Sequence, residues 1–159
     1  MEKLTIEIHM DYCQQDELSA EEAQLVQAAA KATSNAYAKY SGFRVGAALR
    51  LNDGRIVIGA NQENAAYPSG LCAERTAIFG AQATYPEQPI KCLAIAAADN
   101  NGLRAKPVSP CGACRQVILE IEDRYQQPIE ILLCGTDGVY RLKSVRDLLP
   151  LSFVEADMR

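Results

Sequence analysis

The sequence predicts an α/β fold built on a mixed sheet of about five strands, and three observations carry that prediction. The second half alternates strand-like apolar runs with helical periodicity, the order that builds crossover units and a partly parallel sheet. In the first half two strand-like runs are joined by Asn52-Asp53-Gly54, a hairpin signal that adds antiparallel strands. The 159 residues contain no internal repeat, low-complexity segment or linker, which suits one domain over 1–159 burying about 70% of its unfolded surface.

Taken in order, residues 1–18 form an extension in which Leu4, Ile6, Ile8 and Met10 alternate with polar neighbours, a strand periodicity of unassigned role. Ser19-Ala20-Glu21-Glu22 is a capping-box pattern, and Leu25, Val26, Ala29 and Ala32 recur at helical spacing, predicting a first helix to about Ala36. Phe43–Leu51 and Arg55–Ala60 read as the hairpin strands, followed by a polar loop from Asn61 to Gly70. A second helix is expected from Cys72 to about Ala83, ended before Pro86. Cys92–Ala98 is apolar throughout, as a strand covered on both faces would be, and Asp99–Pro110 reads as loop. The third helix spans about Cys111–Tyr125, then come strands at Ile129–Cys134 and Val139–Leu142 and a last helical turn at Ser144–Leu149 before Pro150.

Composition excludes several function classes. A net charge of −4 with no lysine or arginine run gives no footprint for a polyanion, so nucleic acid is not an expected partner. No apolar run approaches the roughly 18 residues of a spanning helix, and Met1-Glu2-Lys3-Leu4-Thr5 lacks a secretory apolar segment, so no membrane partner is expected and a cytoplasmic location is the default. Six cysteines in such a chain point to metal or redox work at Cys111/Cys114 rather than to disulfides, with Cys92 and Cys134 as small core residues of apolar strands.

The chemistry concentrates in Cys72-Ala73-Glu74 and Pro110-Cys111-Gly112-Ala113-Cys114. Three thiolates match the ligand count of a catalytic zinc site, which keeps its fourth position for water. Cys111 and Cys114 lie three residues apart and share a face of a first helical turn. Glu74 falls in the same turn as Cys72 but about 200° around the axis, near an ion without ligating it, and is the candidate proton shuttle. Both cysteine-bearing helices follow loops that leave strands, so their N-termini are expected to meet at one end of the sheet.

Four motifs in order carry a resemblance: Tyr40-Ser41-Gly42-Phe43-Arg44-Val45-Gly46-Ala47-Ala48, Asn61-Gln62-Glu63-Asn64-Ala65-Ala66-Tyr67, Cys72-Ala73-Glu74-Arg75-Thr76-Ala77 and Pro110-Cys111-Gly112-Ala113-Cys114-Arg115-Gln116. Together they resemble the cytidine deaminases, in their small three-cysteine homotetrameric form, from about residue 20 to Phe153. The resemblance implies a three-layer α-β-α fold. It implies hydrolytic, zinc-dependent deamination of cytidine and 2′-deoxycytidine, with one Zn²⁺ per chain on Cys72, Cys111 and Cys114 and Glu74 as catalytic residue. Gln62, Gly42, Pro68 and the N-terminal extension depart from the commoner pattern, which bears on specificity and subunit contacts.

The same resemblance assigns the neighbourhood. Arg75 would donate to the ligand sulfurs, easing the negative charge of three thiolates together with the two helix N-termini. Phe43 would stack on the pyrimidine, Asn61 and Glu63 would hold the ribose, and the Ala73 N–H would bind the base carbonyl. Tyr67 and Phe153 would complete pockets shared between subunits of a tetramer. The only histidine, His9, lies outside the matching region. Other classes remain open at this stage: a deaminase of another cytosine-bearing compound, a binding module with a closed structural zinc, or a dithiol redox protein using Cys111 and Cys114.

Overall fold

Three helices and one seven-stranded sheet make up the computed structural model, which describes residues 1–159. The strands are β1 (Asp11–Cys13), β2 (Arg44–Leu51), β3 (Ile56–Ala60), β4 (Ile90–Asp99), β5 (Gly102–Leu103), β6 (Glu130–Cys134) and β7 (Val139–Leu142). Their order across the sheet is β1-β7-β6-β4-β2-β3, with β5 pairing β4. β4 and β6 run parallel and the other pairs are antiparallel, so the sheet is mixed as expected.

The helices are α1 (Ala20–Ala32), α2 (Ala73–Thr84) and α3 (Gly112–Tyr125). Period-two alternation along the strands sorts them into layers. Ala48, Ala94, Ala96 and Leu132 pack against Leu25 and Ala29 of α1 on one face. Leu49, Leu93, Ile95, Ile131 and Leu133 face α2 and α3 on the other, through Ile78, Ile118 and Leu119. The apolar runs of β4 and β6 are therefore buried on both faces, giving the three-layer α/β architecture.

Two glycines set how closely helices approach. A Cβ on Gly46 in β2 would stand 2.1 Å from the Ala29 carbonyl oxygen, so only glycine lets α1 lie this near. On the opposite face a Cβ on Gly59 in β3 would meet the Ala77 nitrogen at 2.4 Å and the Ala73 oxygen at 2.6 Å. Gly59 thus seats the first turn of α2, and with it the Cys72 end, on the sheet.

The structure differs from the expected elements in places. Two short strands, β1 and β5, raise the expected five to seven. β5 lies where loop was expected, formed by a turn-back after Asp99 that uses Gly102 at φ 101°. In the extension only Asp11–Cys13 is strand; Leu4, Ile6, Ile8 and Met10 are exposed, because alternation without a paired neighbour gives no ladder. α1 forms its capping box, with Ser19 Oγ accepting from the Glu22 N–H at 3.2 Å, but ends at Ala32. There Thr33 and Ser34 hydroxyls donate to the Ala30 and Lys31 carbonyls, and the chain tightens into a 3-10 turn over Thr33–Asn35. Finally, β2 begins at Arg44 rather than Phe43, and β4 begins at Ile90.

Candidate metal centre and adjoining cleft

Cys72 is the N-cap residue of α2 and Cys111 that of α3, while Cys114 is buried in the first turn of α3. The two helix N-termini meet, and the three Sγ atoms lie within 4.8 Å of one another. No other such cluster of cysteine, histidine or carboxylate groups occurs in the chain, and no fourth ligand joins this one. All six cysteines are free thiols. Cys92 and Cys134 are buried as expected, and burial pushes the Cys134 thiol up to about 12.

The donor set fits zinc. Sulfurs each about 2.3 Å from a tetrahedral ion stand roughly 3.8 Å apart. Cys72 and Cys111 are 3.9 Å apart. Cys72 is pulled down to about 5, first by the neighbouring Cys114 thiol and then by Arg75, against the burial that opposes ionisation. Cys114 is raised in turn, first by its hydrogen bond with Cys72 and then by burial. Arg75 Nη2 lies 3.5 Å from Cys72 Sγ, makes no ion pair with any carboxylate, and has a buried Nε without a partner. Its charge is thus spent on the sulfur site.

Glu74 is only 4% exposed and stands outside the sulfur cluster. Burial, reinforced by the Cys72 charge, pushes its carboxyl above the ordinary range. A carboxylate in such a setting binds a proton more readily than a free one, which suits a proton shuttle.

A cleft of about 410 Å³ opens beside Cys72 and Arg75 and is bounded by Tyr40, Asn61, Glu63 and Tyr67. Its rim is laced to residues 40–45. Asn61 Oδ1 accepts from the Val45 N–H at 2.7 Å and its Nδ2 donates to the Phe43 carbonyl at 3.0 Å. The Glu63 carboxylate accepts from the Tyr40 N–H at 2.7 Å, the Ser41 N–H at 3.2 Å and the Ser41 hydroxyl. A cavity of similar size, about 440 Å³, adjoins α1 on the other face. There Arg50, Lys91 and Lys143 are balanced by Glu21, Glu22 and Glu130, without a ligand cluster.

Residues 19–126 match the family model described as the cytidine and deoxycytidylate deaminase zinc-binding region. The chain belongs to that family. The deaminase is 41% identical over 134 residues to the cytidine deaminase of Halalkalibacterium halodurans, covering 84% of this chain and 95% of that protein. It is 42% identical over 134 residues to that of Sporosarcina psychrophila, covering 84% and 92%. The crystal structure of cytidine deaminase from Burkholderia pseudomallei aligns with a TM-score of 0.70 and 42% identity, over 82% of this chain and 97% of that one. The deaminase is accordingly a hydrolase of the cytidine deaminase group.

The residues expected at the site divide into those the fold gathers and those it leaves apart. Cys72, Cys111, Cys114, Glu74, Ala73 and Arg75 come together at the two helix starts of the deaminase; Asn61, Glu63 and Tyr67 line the cleft. Phe43 is half-buried, its carbonyl held by Asn61, and is not among the residues bounding the cleft. Phe153 is 58% exposed in the C-terminal segment, tied by its carbonyl to Gln116, and is likewise not a cleft residue. Sequence reading missed Tyr40, which lines the cleft, and Ser41, which bonds Glu63 without lining it. The signal lay in the Ser41-Gly42 turn, where Gly42 takes φ 67°, but the partner of that turn, Glu63, is 22 residues on.

Proposed function

We propose that this enzyme deaminates cytidine and 2′-deoxycytidine hydrolytically, giving uridine and 2′-deoxyuridine with release of ammonia, in pyrimidine salvage. The observation that carries the reading is the meeting of three cysteine sulfurs within 4.8 Å, with the buried Glu74 on the residue but one after Cys72. The relatives named above are cytidine deaminases, which supports the same substrate. Cys72, Cys111 and Cys114 would hold one zinc ion. When bound, zinc supplies the Lewis acidity that makes hydroxide available at neutral pH.

The chain's own residues do the rest. Glu74 takes a proton from the attacking water and delivers it to ring N3, so that C4 accepts the oxygen; it then takes the proton of the new C4 hydroxyl and passes it to the 4-amino nitrogen, so that the C4–N bond breaks, the C4 carbonyl forms and ammonia leaves. The Ala73 N–H, at a helix start, holds the base carbonyl, and Phe43 supplies a flat apolar face for the ring. Asn61 and Glu63 hold the sugar, the carboxylate accepting from a hydroxyl. A phosphate at that hydroxyl would face like charge, so free nucleosides are favoured over nucleotides and nucleic acid. Tyr67 is 78% exposed and Phe153 58% exposed in the isolated chain, as suits groups that complete a neighbour's pocket in a cytoplasmic homotetramer.

An ultraviolet assay of cytidine and 2′-deoxycytidine loss, run with a zinc determination on the same preparation and light scattering for mass, tests this reading. Turnover of both nucleosides, about one zinc per chain and a tetramer mass are expected. Failure to turn over cytidine would overturn the activity, and zinc far below one per chain would overturn the cofactor.

A further inference from the structure

The sugar-facing side of the cleft depends on a group that does not line it. That group is Ser41, whose hydroxyl oxygen joins two functional neighbours. It accepts from the Phe43 N–H at 3.0 Å and donates its single proton to Glu63 Oε1. The Phe43 carbonyl is also near, at 3.4 Å, but a hydroxyl has one hydrogen, and the charged oxygen is the shorter and stronger acceptor. Glu63 Oε2 meanwhile accepts the Tyr40 and Ser41 N–H groups.

A carboxylate offers about four lone-pair directions. Three are filled from the 40–41 turn, two on Oε2 and one on Oε1, so acceptor capacity for a ligand remains on the oxygen that Ser41 orients. The turn is itself fixed. Gly42 adopts φ 67°, its N–H donates to the Ala38 carbonyl at 2.9 Å, and the Glu63 N–H donates to the Tyr37 carbonyl at 2.9 Å. The carboxylate is held mainly below the usual carboxylate range by the Ser41 hydroxyl, consistent with an acceptor kept ionised.

We infer that Ser41 is a positioning and specificity-determining residue: its hydroxyl aims the Glu63 carboxylate at the sugar hydroxyl and couples that aim to the backbone of Phe43. It touches no substrate atom. This inference rests on the assignment of Glu63 to the sugar. Its consequence is selective, because losing the Ser41 hydroxyl should weaken recognition of the 3′-hydroxyl and leave proton transfer at Glu74 alone.

The experiment is a cycle between the protein and the nucleoside, using cytidine and 3′-deoxycytidine with the wild type, Ser41→Ala, Ser41→Thr and Glu63→Gln, all zinc-loaded. In the wild type, loss of the 3′-hydroxyl should lower kcat/KM by about tenfold or more, the scale of one unpaired hydrogen bond to a charged group. In Ser41→Ala the KM for cytidine should rise about tenfold with kcat within about twofold, and discrimination between the nucleosides should shrink to about twofold. Ser41→Thr keeps a hydroxyl and should restore it. Where Ser41→Ala does not fold, Ser41→Cys, near in size but a weak donor, should show the same loss.

An equal loss on both nucleosides in Ser41→Ala, or a fall confined to kcat, would mean a merely structural role and overturn the inference. Glu63→Gln separates the two levels. If it abolishes discrimination while Ser41→Ala leaves it intact, the sugar assignment stands and the Ser41 inference fails. If Glu63→Gln leaves discrimination intact, the sugar assignment fails and the inference falls with it.

Discussion

A carboxylate and a guanidinium on consecutive residues, Glu74 and Arg75, divide the labour around the sulfurs. Glu74 is buried and raised, while Arg75 has a nitrogen 3.5 Å from Cys72 Sγ. Changing Glu74→Gln preserves shape and removes only the shuttling group, so zinc content should stay near one per chain while kcat falls by about 100-fold or more. Ordinary turnover in that variant would refute the shuttle. Ser in place of Cys72, Cys111 or Cys114 should give the opposite signature, with zinc lost from the purified protein. Arg75→Gln removes the cation facing the thiolates, and chelator competition should report zinc held about 10- to 100-fold more weakly. Unchanged zinc affinity would mean that the helix N-termini alone balance the sulfur charge.

At the scale of elements the site is a consequence of how α2 is seated. Gly59 lets the first turn of α2 lie against β3, and any Cβ there strikes helix backbone rather than a movable side chain. Gly59→Ala should therefore cost about 1–3 kcal/mol, seen as a lower denaturation midpoint, and should also weaken zinc binding, because relief of the clash shifts the Cys72 end of the helix. A stability loss with zinc affinity untouched would show that the helix pivots about its start. At the far end of α3 the fold is pinned by Glu122, 5% exposed, whose carboxylate accepts from the Ile129 and Val145 N–H groups and from the Ser144 hydroxyl. That side chain ties the helix to the start of β6 and to the segment before the C-terminus.

For the whole molecule, the sheet alternation that sorts α1 from α2 and α3 leaves residues 1–10 without a share of the core. They form no backbone hydrogen bond within the chain, and their aliphatic side chains are at least half exposed. Deleting Met1–Met10 should change unfolding free energy by no more than about 0.5 kcal/mol and leave cytidine turnover intact, as measured by denaturant titration and the ultraviolet assay. A larger loss would place the extension in the assembly. No helix is long and apolar enough to cross a membrane.

Much of this protein was legible in its sequence because the signals are local. The Ser19/Glu22 capping box, the Asn52–Gly54 turn, the doubly apolar runs of β4 and β6 and the spacing of Cys111 and Cys114 each act over a few residues, so chain order alone reveals them. What only the tertiary structure decided depends on groups far apart in sequence. The β1 edge pairs with β7, Asp11 opposite Arg141, although neither strand announces the other. Ser41 grips Glu63 across 22 residues, whereas the meeting of Cys72 and Cys111 across 39 was expected from two helices that each follow a loop leaving a strand. Periodicity and capping name the elements, but the partners of a strand edge or a side-chain oxygen are chosen by packing, which brings distant segments within hydrogen-bond reach only once the core has closed.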